Sequence, residues 1–163
     1  MTMEKKRNKI VLNIPHSSVN GIFDVNIGRW TYNQYFVNEC VKKWTDWFTD
    51  FLFLGLSRQE NVKTIVFPYS RFVCDAERQK NDPLEEEGKG IIYTEFEGHK
   101  RESLTETQKN EIMVLWEKHQ EKLIDAIENE STILVDCHSF PSDLYDCDIC
   151  IGYNDDWSYN KKS

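Results

Sequence analysis

The fold is decided by Thr132-Ile-Leu-Val-Asp-Cys-His-Ser-Phe140, in which a short β-prone apolar run ends in a carboxylate and a histidine. The start of the chain repeats this arrangement, because Ile10-Val-Leu-Asn-Ile14 leads into Pro15-His16-Ser17. Strands of a parallel sheet are buried on both faces and appear as short apolar runs, and ligands collect beyond their carboxyl ends. We therefore expect both strands to end at one rim of a parallel sheet, with His16 and His138 close together.

The composition is that of one folded domain. The chain has 163 residues, of which 39% are hydrophobic and 13% aromatic, enough to bury a core. The formal charge of -8 leaves no basic surface for a phosphate backbone, so we expect no nucleic-acid partner. No apolar stretch has the length of a membrane span or the form of a signal peptide. We expect a cytoplasmic protein that does not bind membranes.

Five cysteines, an odd number, occur without a secretory signal, which favours reduced thiols over a disulfide framework. The pair in Cys147-Asp-Ile-Cys150 has no second pair to complete a zinc knuckle, and it does not open a helix as a redox motif would. We interpret these two cysteines as structural.

The apolar residues between Thr31 and Leu54 recur at intervals of three and four, which predicts one long helix. Asp46 and Asp50 would share a face of that helix because they are four residues apart. A second strand is predicted over residues 64–69. If residues 70–78 after it remain extended, then Arg71, Val73 and Asp75 face one way.

Residues 79–104 are polar and charged, and we expect a long, irregular connection, which we call the charged excursion. Long connections in compact domains are often functional. A helix is predicted from Thr105 to about Glu128, with His119 on its apolar face. The apolar run over residues 149–153 predicts a further strand. This alternation of strands and helices favours a three-layer α/β/α fold with a mixed, mostly parallel sheet, formed by residues 1–163 as one domain.

Two histidines and a carboxylate around an open position are a common way to hold catalytic zinc. His16 and His138 supply the imidazoles. The third ligand is left open by the spacing, and imidazole and carboxylate ligands also suit iron, cobalt or nickel. The candidates for that ligand are Asp46, Asp75, Glu77 and Asp136.

Six segments of the chain, in order, resemble the N-formylglutamate amidohydrolase family. The resemblance implies a phosphorylase/hydrolase-like α/β fold and zinc-dependent hydrolysis of an N-formyl or similar N-acyl amino acid, a reaction of histidine degradation. The segments are Asn13-Ile-Pro-His-Ser17, Thr45-Asp-Trp-Phe-Thr-Asp-Phe-Leu-Phe53, Ser70-Arg-Phe-Val-Cys-Asp-Ala-Glu-Arg78, Gly88-Lys-Gly-Ile-Ile-Tyr-Thr94, His119 with Leu123, and Asp136-Cys-His-Ser-Phe140.

The resemblance also assigns residues. It places His16, His138 and Asp46 on the metal, the last because related zinc amidases take a carboxylate ligand from a helix at that point. Arg71 and Arg78 match family arginines, and their guanidinium forks suit the two carboxylates of N-formylglutamate. Further candidates for substrate binding are Ser17 and Asp75.

The implied mechanism is attack of a metal-bound water on the formyl carbon, with a side chain carrying the proton to the leaving amine. His119 is the first candidate for this acid and base, and Glu77 is the second. Glu77 stands where many members of the family carry asparagine, which leaves the acyl group and the substrate side chain open.

Members of this family normally continue beyond the strand predicted near Gly152, so the chain is expected to lack their C-terminal part. A shortened sheet would leave an edge that proteins usually cover, and we expect a homodimer. Two other functions stay open: a catalytically inactive relative that binds a metal or ligand, and an amidase for another N-acyl or peptide substrate.

Overall fold

The computed structural model describes residues 9–24, 28–31, 33–127, 132–144 and 146–152. Three parallel strands form the main sheet in the order β2-β1-β5. They are β1 (Lys9–Ile14), β2 (Val62–Val66) and β5 (Thr132–Asp136). Because all three run in the same direction, their carboxyl ends lie at one edge, which confirms the predicted α/β fold with a parallel sheet.

The connection from β1 to β2 is helical but not one helix. A helical stretch begins at Asn33 and ends at Trp44, and a second one follows after a break of four residues. Its parts are α1 (Asn33–Phe36), a π-helical turn (Val37–Val41), α2 (Lys42–Trp44), α3 (Thr49–Leu54) and a 3-10 turn (Leu56–Arg58). The prediction of one helix from Thr31 to Leu54 is therefore wrong.

The break has a local cause at each end. Thr45 adopts an extended backbone (φ -85, ψ 132), and its hydroxyl donates to the carbonyl of Val41 at 2.7 Å, which competes with continuation of the helix. Phe48 has a left-handed backbone with φ 63, which starts the chain in a new direction before α3. Asp46 and Asp50 therefore do not share a helix face, and Asp46 lies in the break instead.

Residues 70–78 form turns, so the extended backbone on which a shared face of Arg71, Val73 and Asp75 depended is not formed. The backbone N–H groups of Val73 and Cys74 both donate to the carbonyl of Ser70, at 2.9 and 3.2 Å. Val73 is buried in the core, whereas Arg71 and Asp75, one helical turn apart, form an ion pair. The turns bring the side chains of Arg71 and Asp75 side by side.

The predicted charged excursion carries only short elements before a long helix. A 3-10 turn (Pro83–Glu85) precedes a small hairpin of β3 (Glu95–Phe96) and β4 (His99–Lys100). Helix α4 (Glu106–Ala126) then begins at a capping box between Thr105 and Gln108. This confirms the predicted start of the helix.

Helices cover the sheet on both faces, as a three-layer fold requires. On one face Val11 and Ile65 pack with Leu123 and Ala126 of α4. On the other face Leu12, Ile14 and Cys137 form a cluster with partly buried Phe53 of α3. A separate aromatic core joins α1 to the hairpin through Trp30, Phe36, Phe72, Tyr93 and Phe96.

Within the described residues, strand β5 lies at one edge of the main sheet, and its apolar side chains are partly exposed. Ile133, Leu134 and Val135 are 47, 42 and 38% exposed. Residues 149–152 form no strand, and Ile149 and Ile151 are exposed, so the strand predicted there is absent from the described part of that run. Among the described residues, no helix has the length and apolar character needed to cross a membrane.

Candidate metal centre and active site

The ends of β1 and β5 bring the two predicted histidines together. His16 follows β1 and His138 follows β5, and their ring centroids are 5.2 Å apart. His16 is buried, whereas about a third of the His138 side chain is exposed. One imidazole is therefore held within the protein, and the other faces the open rim.

Asp46 joins this pair because of the break before α3. Its backbone N–H donates to the carbonyl of His16 at 3.1 Å, which fixes the break against the end of β1. Its Oδ2 accepts a hydrogen bond from Nδ1 of His138 at 2.7 Å and lies 3.9 Å from Nδ1 of His16. Of the four carboxylates considered for the third ligand, Asp46 is the one that lies next to Nδ1 of both histidines.

His16 has one nitrogen engaged and one without a partner. Its Nε2 lies 2.8 Å from Oδ1 of Asp75, and since an ionised carboxylate can only accept, this nitrogen carries the proton. In the neutral ring, Nδ1 then has a lone pair, and this buried atom has no hydrogen-bond partner among the described residues. Ligand atoms of His16, Asp46 and His138 all lie within 4.8 Å of one another, so these residues fit a divalent ion.

Asp75 lies behind His16, with none of its surface exposed. Its carboxylate accepts hydrogen bonds from Arg71 Nη2 at 3.2 Å, from the backbone N–H of Glu77 at 3.1 Å and from the hydroxyl of Tyr93. Burial alone would raise the pKa of Asp75, but His16, Arg71 and Tyr93 together hold it well below its usual range. This carboxylate stays ionised and orients the ring of His16.

Tyr93 is a member of the site that the sequence did not single out. Its hydroxyl donates to Asp75 and accepts from Arg71 Nη2 at 3.2 Å. Burial raises the pKa of Tyr93, so the hydroxyl keeps its proton and remains a donor. A usable signal was the apolar triplet Ile91-Ile92-Tyr93 inside an otherwise charged excursion.

A second group, formed by His16, Asp75 and Glu77, has ligand atoms equally close together. It suits a cation less well, because Nε2 of His16 already donates to Asp75. The guanidinium groups of Arg71 and Arg78 also lie 3.2 and 3.9 Å from Oδ2 of Asp75 and would repel a cation. Asp46 is therefore better placed than Asp75 or Glu77 to hold a cation together with the two histidines.

Glu77 reaches across the rim to His138. Its Oε1 lies 3.4 Å from Nε2 of His138, and about a third of its side chain is exposed. The hydrogen bond from His138 lowers the pKa of Glu77. Burial would lower the pKa of His138, but its hydrogen bonds to Asp46 and Glu77 outweigh burial and raise it to about 10. A metal at this site must displace that proton, so metal binding should weaken as the pH falls.

Arg71 and Arg78 lie on the other side of Asp75, with 14 and 21% of their side chains exposed. The Nε atom of each is buried and has no hydrogen-bond partner among the described residues. An unpartnered Nε–H is one arm of the fork that binds a carboxylate with two parallel hydrogen bonds. Ser17, next to His16 in sequence, is partly buried.

The sequence model of the N-formylglutamate amidohydrolase family matches residues 9–162. The chain belongs to this family. No curated protein and no solved structure matched the chain. Membership in the N-formylglutamate amidohydrolase family confirms the resemblance drawn from the six segments.

In this member of the N-formylglutamate amidohydrolase family, His119 lies below the sheet rim rather than in the cluster. It is 2% exposed, and its Nε2 lies 2.8 Å from Oδ1 of Asn13. Burial lowers the pKa of His119 to about 4, so the ring is neutral at pH 7. The amide of Asn13 in turn donates to Asp136 Oδ1 at 2.7 Å. These hydrogen bonds connect His119, Asn13 and Asp136, and the sequence signal for them was the presence of Asn13 within the apolar run of β1.

Proposed function

We propose that this chain is a metal-dependent amidohydrolase that removes the N-formyl, or a similar N-acyl, group from an acidic amino acid such as N-formyl-L-glutamate. Family membership supports hydrolysis of an amide bond. The observation that supports a bound metal is the buried Nδ1 of His16, which has no hydrogen-bond partner among the described residues and lies next to Asp46 and His138. A buried polar atom without a partner is unfavourable unless something else binds it.

In this proposal His16, Asp46 and His138 hold the ion, and zinc is the first choice. A divalent ion held there would act as a Lewis acid that polarises a carbonyl and acidifies water. Asp75 keeps His16 in the tautomer that leaves Nδ1 free for the metal, as carboxylates behind ligating histidines commonly do. Because Asp75 has no exposed surface, we assign it to this positioning role instead of the substrate contact expected from the sequence.

The substrate's carboxylates are assigned to Arg71 and Arg78. Each has a buried Nε–H without a hydrogen-bond partner among the described residues, and a guanidinium fork suits a planar carboxylate. N-formylglutamate has two carboxylates, so one can pair with each arginine. Ser17 remains a candidate for a further hydrogen bond, because it directly follows His16 in the sequence.

Glu77 is our first candidate for the general base and acid. It lies at the rim beside His138, it is partly exposed, and its carboxylate oxygens can accept a proton from water. Its carboxylate would take a proton from the attacking water and deliver it to the leaving nitrogen. His119 is buried on Asn13, and we propose that it positions the end of β1 instead.

The test is formate release measured with a panel of N-acyl amino acids, together with metal content by mass spectrometry. N-formyl-L-glutamate should be cleaved faster than N-formyl-L-leucine, because leucine lacks the second carboxylate. Arg78→Lys should narrow that preference, whereas the exposed Arg58→Lys is the matched control and should not change it. Bound zinc without turnover of any substrate would instead favour the inactive relative, and turnover of peptides alone would favour another amidase.

We also propose that the reaction takes place in the cytoplasm, because the five cysteines are free thiols. A step in histidine degradation is what the family name suggests for the formylated substrate. Loss of growth on histidine after deletion of this chain's gene would support that role, and unchanged growth would contradict it.

A further inference from the structure

A cavity of about 510 Å³ lies away from the metal cluster, between the charged excursion and the first turns of α4. None of the three proposed metal ligands lines it. Its apolar walls come from Ile91, Ile92, Leu104 and Met113. Cavities of about 300–1,000 Å³ with mostly apolar walls and a few polar groups are typical small-molecule sites.

The lysines that line this cavity are already paired. Lys80 forms an ion pair with Glu117 at 3.3 Å and lies over the ring of Trp116. Lys109 forms one with Glu106 at 2.7 Å. Both ammonium groups are therefore directed onto α4, where a carboxylate already compensates each charge.

The other charged side chains that line the cavity are those of Arg101, Glu85 and Glu102. Arg101 is buried, and its guanidinium donates to the carbonyls of Val73 and Tyr93, each at 3.3 Å. Glu85 and Glu102 also line the cavity, and within the described residues neither side chain has an ion pair. Apart from the two lysine pairs, the lining thus carries one positive charge, on Arg101, and two negative charges, on Glu85 and Glu102. The sum of these three charges is negative.

We propose that this cavity is a second ligand site, and that its ligand is a small aliphatic amine. The alkyl chain would lie on the four apolar side chains, and the ammonium group would pair with Glu85 or Glu102. Gly90 allows Glu85 to lie close to the backbone, because a Cβ at Gly90 would be 3.0 Å from Cγ of Glu85. Binding of an amine is also favoured by the net charge of -8.

A ligand in this cavity would affect the metal centre, because residues 91–93 connect the cavity lining to Asp75. The carbonyl of Ile91 accepts the backbone N–H of Asp75 at 2.8 Å. Two residues further along the same segment, the hydroxyl of Tyr93 donates to the carboxylate of Asp75. A shift of this segment therefore moves the group that orients His16.

The test is a titration of the full chain, labelled with ¹³C-methyl methionine, with n-hexylamine, hexanoate and hexanol. The chain has three methionines, so the spectrum is simple, and Met113→Leu assigns the signal from the cavity wall. Binding is read directly in this experiment, so the result does not depend on whether the protein hydrolyses any amide.

Saturable shifts of the Met113 methyl with hexylamine, and much weaker shifts with hexanoate, are expected. The double variant Glu85→Gln/Glu102→Gln should weaken hexylamine binding about two- to fivefold, the effect of losing an exposed ion pair. Glu121→Gln, on an exposed part of α4, is the matched control and should bind as the parent does. Equal binding of hexanoate, unchanged binding in the double variant, or no saturable shift with hexylamine would overturn the proposal.

Discussion

Replacing the buried carboxylate of Asp75 by an amide should destabilise the fold and weaken metal binding together. Asp75 has no exposed surface, and it lies 2.8 Å from His16 Nε2 and 3.2 Å from Arg71 Nη2. Removing one partner of a buried ion pair leaves the other charge uncompensated, which costs about 3–5 kcal/mol. At about 2–4 °C per kcal/mol for a chain of this size, Asp75→Asn should lower Tm by roughly 6–20 °C.

The assay is urea unfolding of the metal-free protein followed by circular dichroism, and then a zinc titration of the folded protein. Losing the carboxylate that orients a ligating histidine should weaken zinc binding by roughly 10–100-fold. Tyr93→Phe removes one hydrogen bond to Asp75 and one from Arg71, but these two charged groups remain paired with each other. It should therefore destabilise less, by about 1.5–3 kcal/mol. Asp125→Asn, on the exposed face of α4, is the control.

Two results would contradict a role of the Asp75 carboxylate in both the stability of the fold and the orientation of His16. The first is a loss of less than about 1 kcal/mol in Asp75→Asn, which would be typical of an ordinary substitution and not of a buried ion pair. The second is a larger loss in Tyr93→Phe than in Asp75→Asn, because the hydroxyl of Tyr93 acts on His16 only through Asp75 in this account.

Glu77→Gln should lower kcat for formate release by about 10²–10⁴-fold with zinc content unchanged, and an unchanged kcat would remove Glu77 from proton transfer. Arg71→Lys should raise KM for N-formyl-L-glutamate more than it lowers kcat, because it removes a guanidinium that binds the substrate carboxylate equally in the ground state and the transition state. A lower kcat with an unchanged KM would contradict this. For His119, the folded pKa of about 4 lies below the usual histidine pKa of 6.5, so the unfolded chain binds the proton first as the pH falls. The contribution of His119 to stability is therefore full above pH 6.5 and declines towards pH 4, by up to roughly 3 kcal/mol, and urea unfolding should show a smaller decline in His119→Gln. The homodimer stays a prediction, supported by the exposed apolar side chains of β5, and light scattering that shows only monomer at all concentrations would exclude it.

The strands and the rim of the site were predictable because their signals are local. Short apolar runs define β1 and β5, and parallel pairing then brings the residues that follow them to one edge. That geometry alone was enough to place His16 beside His138. The start of α4 was equally local, because its capping box is formed by residues three apart.

The break before α3 was not predictable, because the apolar periodicity continues across it. What ends the helix is partly tertiary: the backbone N–H of Asp46 donates to the carbonyl of His16, which is far away in sequence. The position of His119, buried and away from the cluster, was not predictable for a similar reason. Periodicity placed it on the buried face of α4, but the hydrogen bond to Asn13 that holds it away from the cluster depends on how α4 packs on β1.

The most direct test of the central claim is formate release from N-formyl-L-glutamate by the purified chain, before chelation, after chelation and after zinc is restored. We expect activity that disappears when the metal is removed and returns with one zinc per chain, and that does not return in His16→Ala. Hydrolysis that persists without metal, or full restoration in His16→Ala, would contradict a metal centre formed by His16, Asp46 and His138.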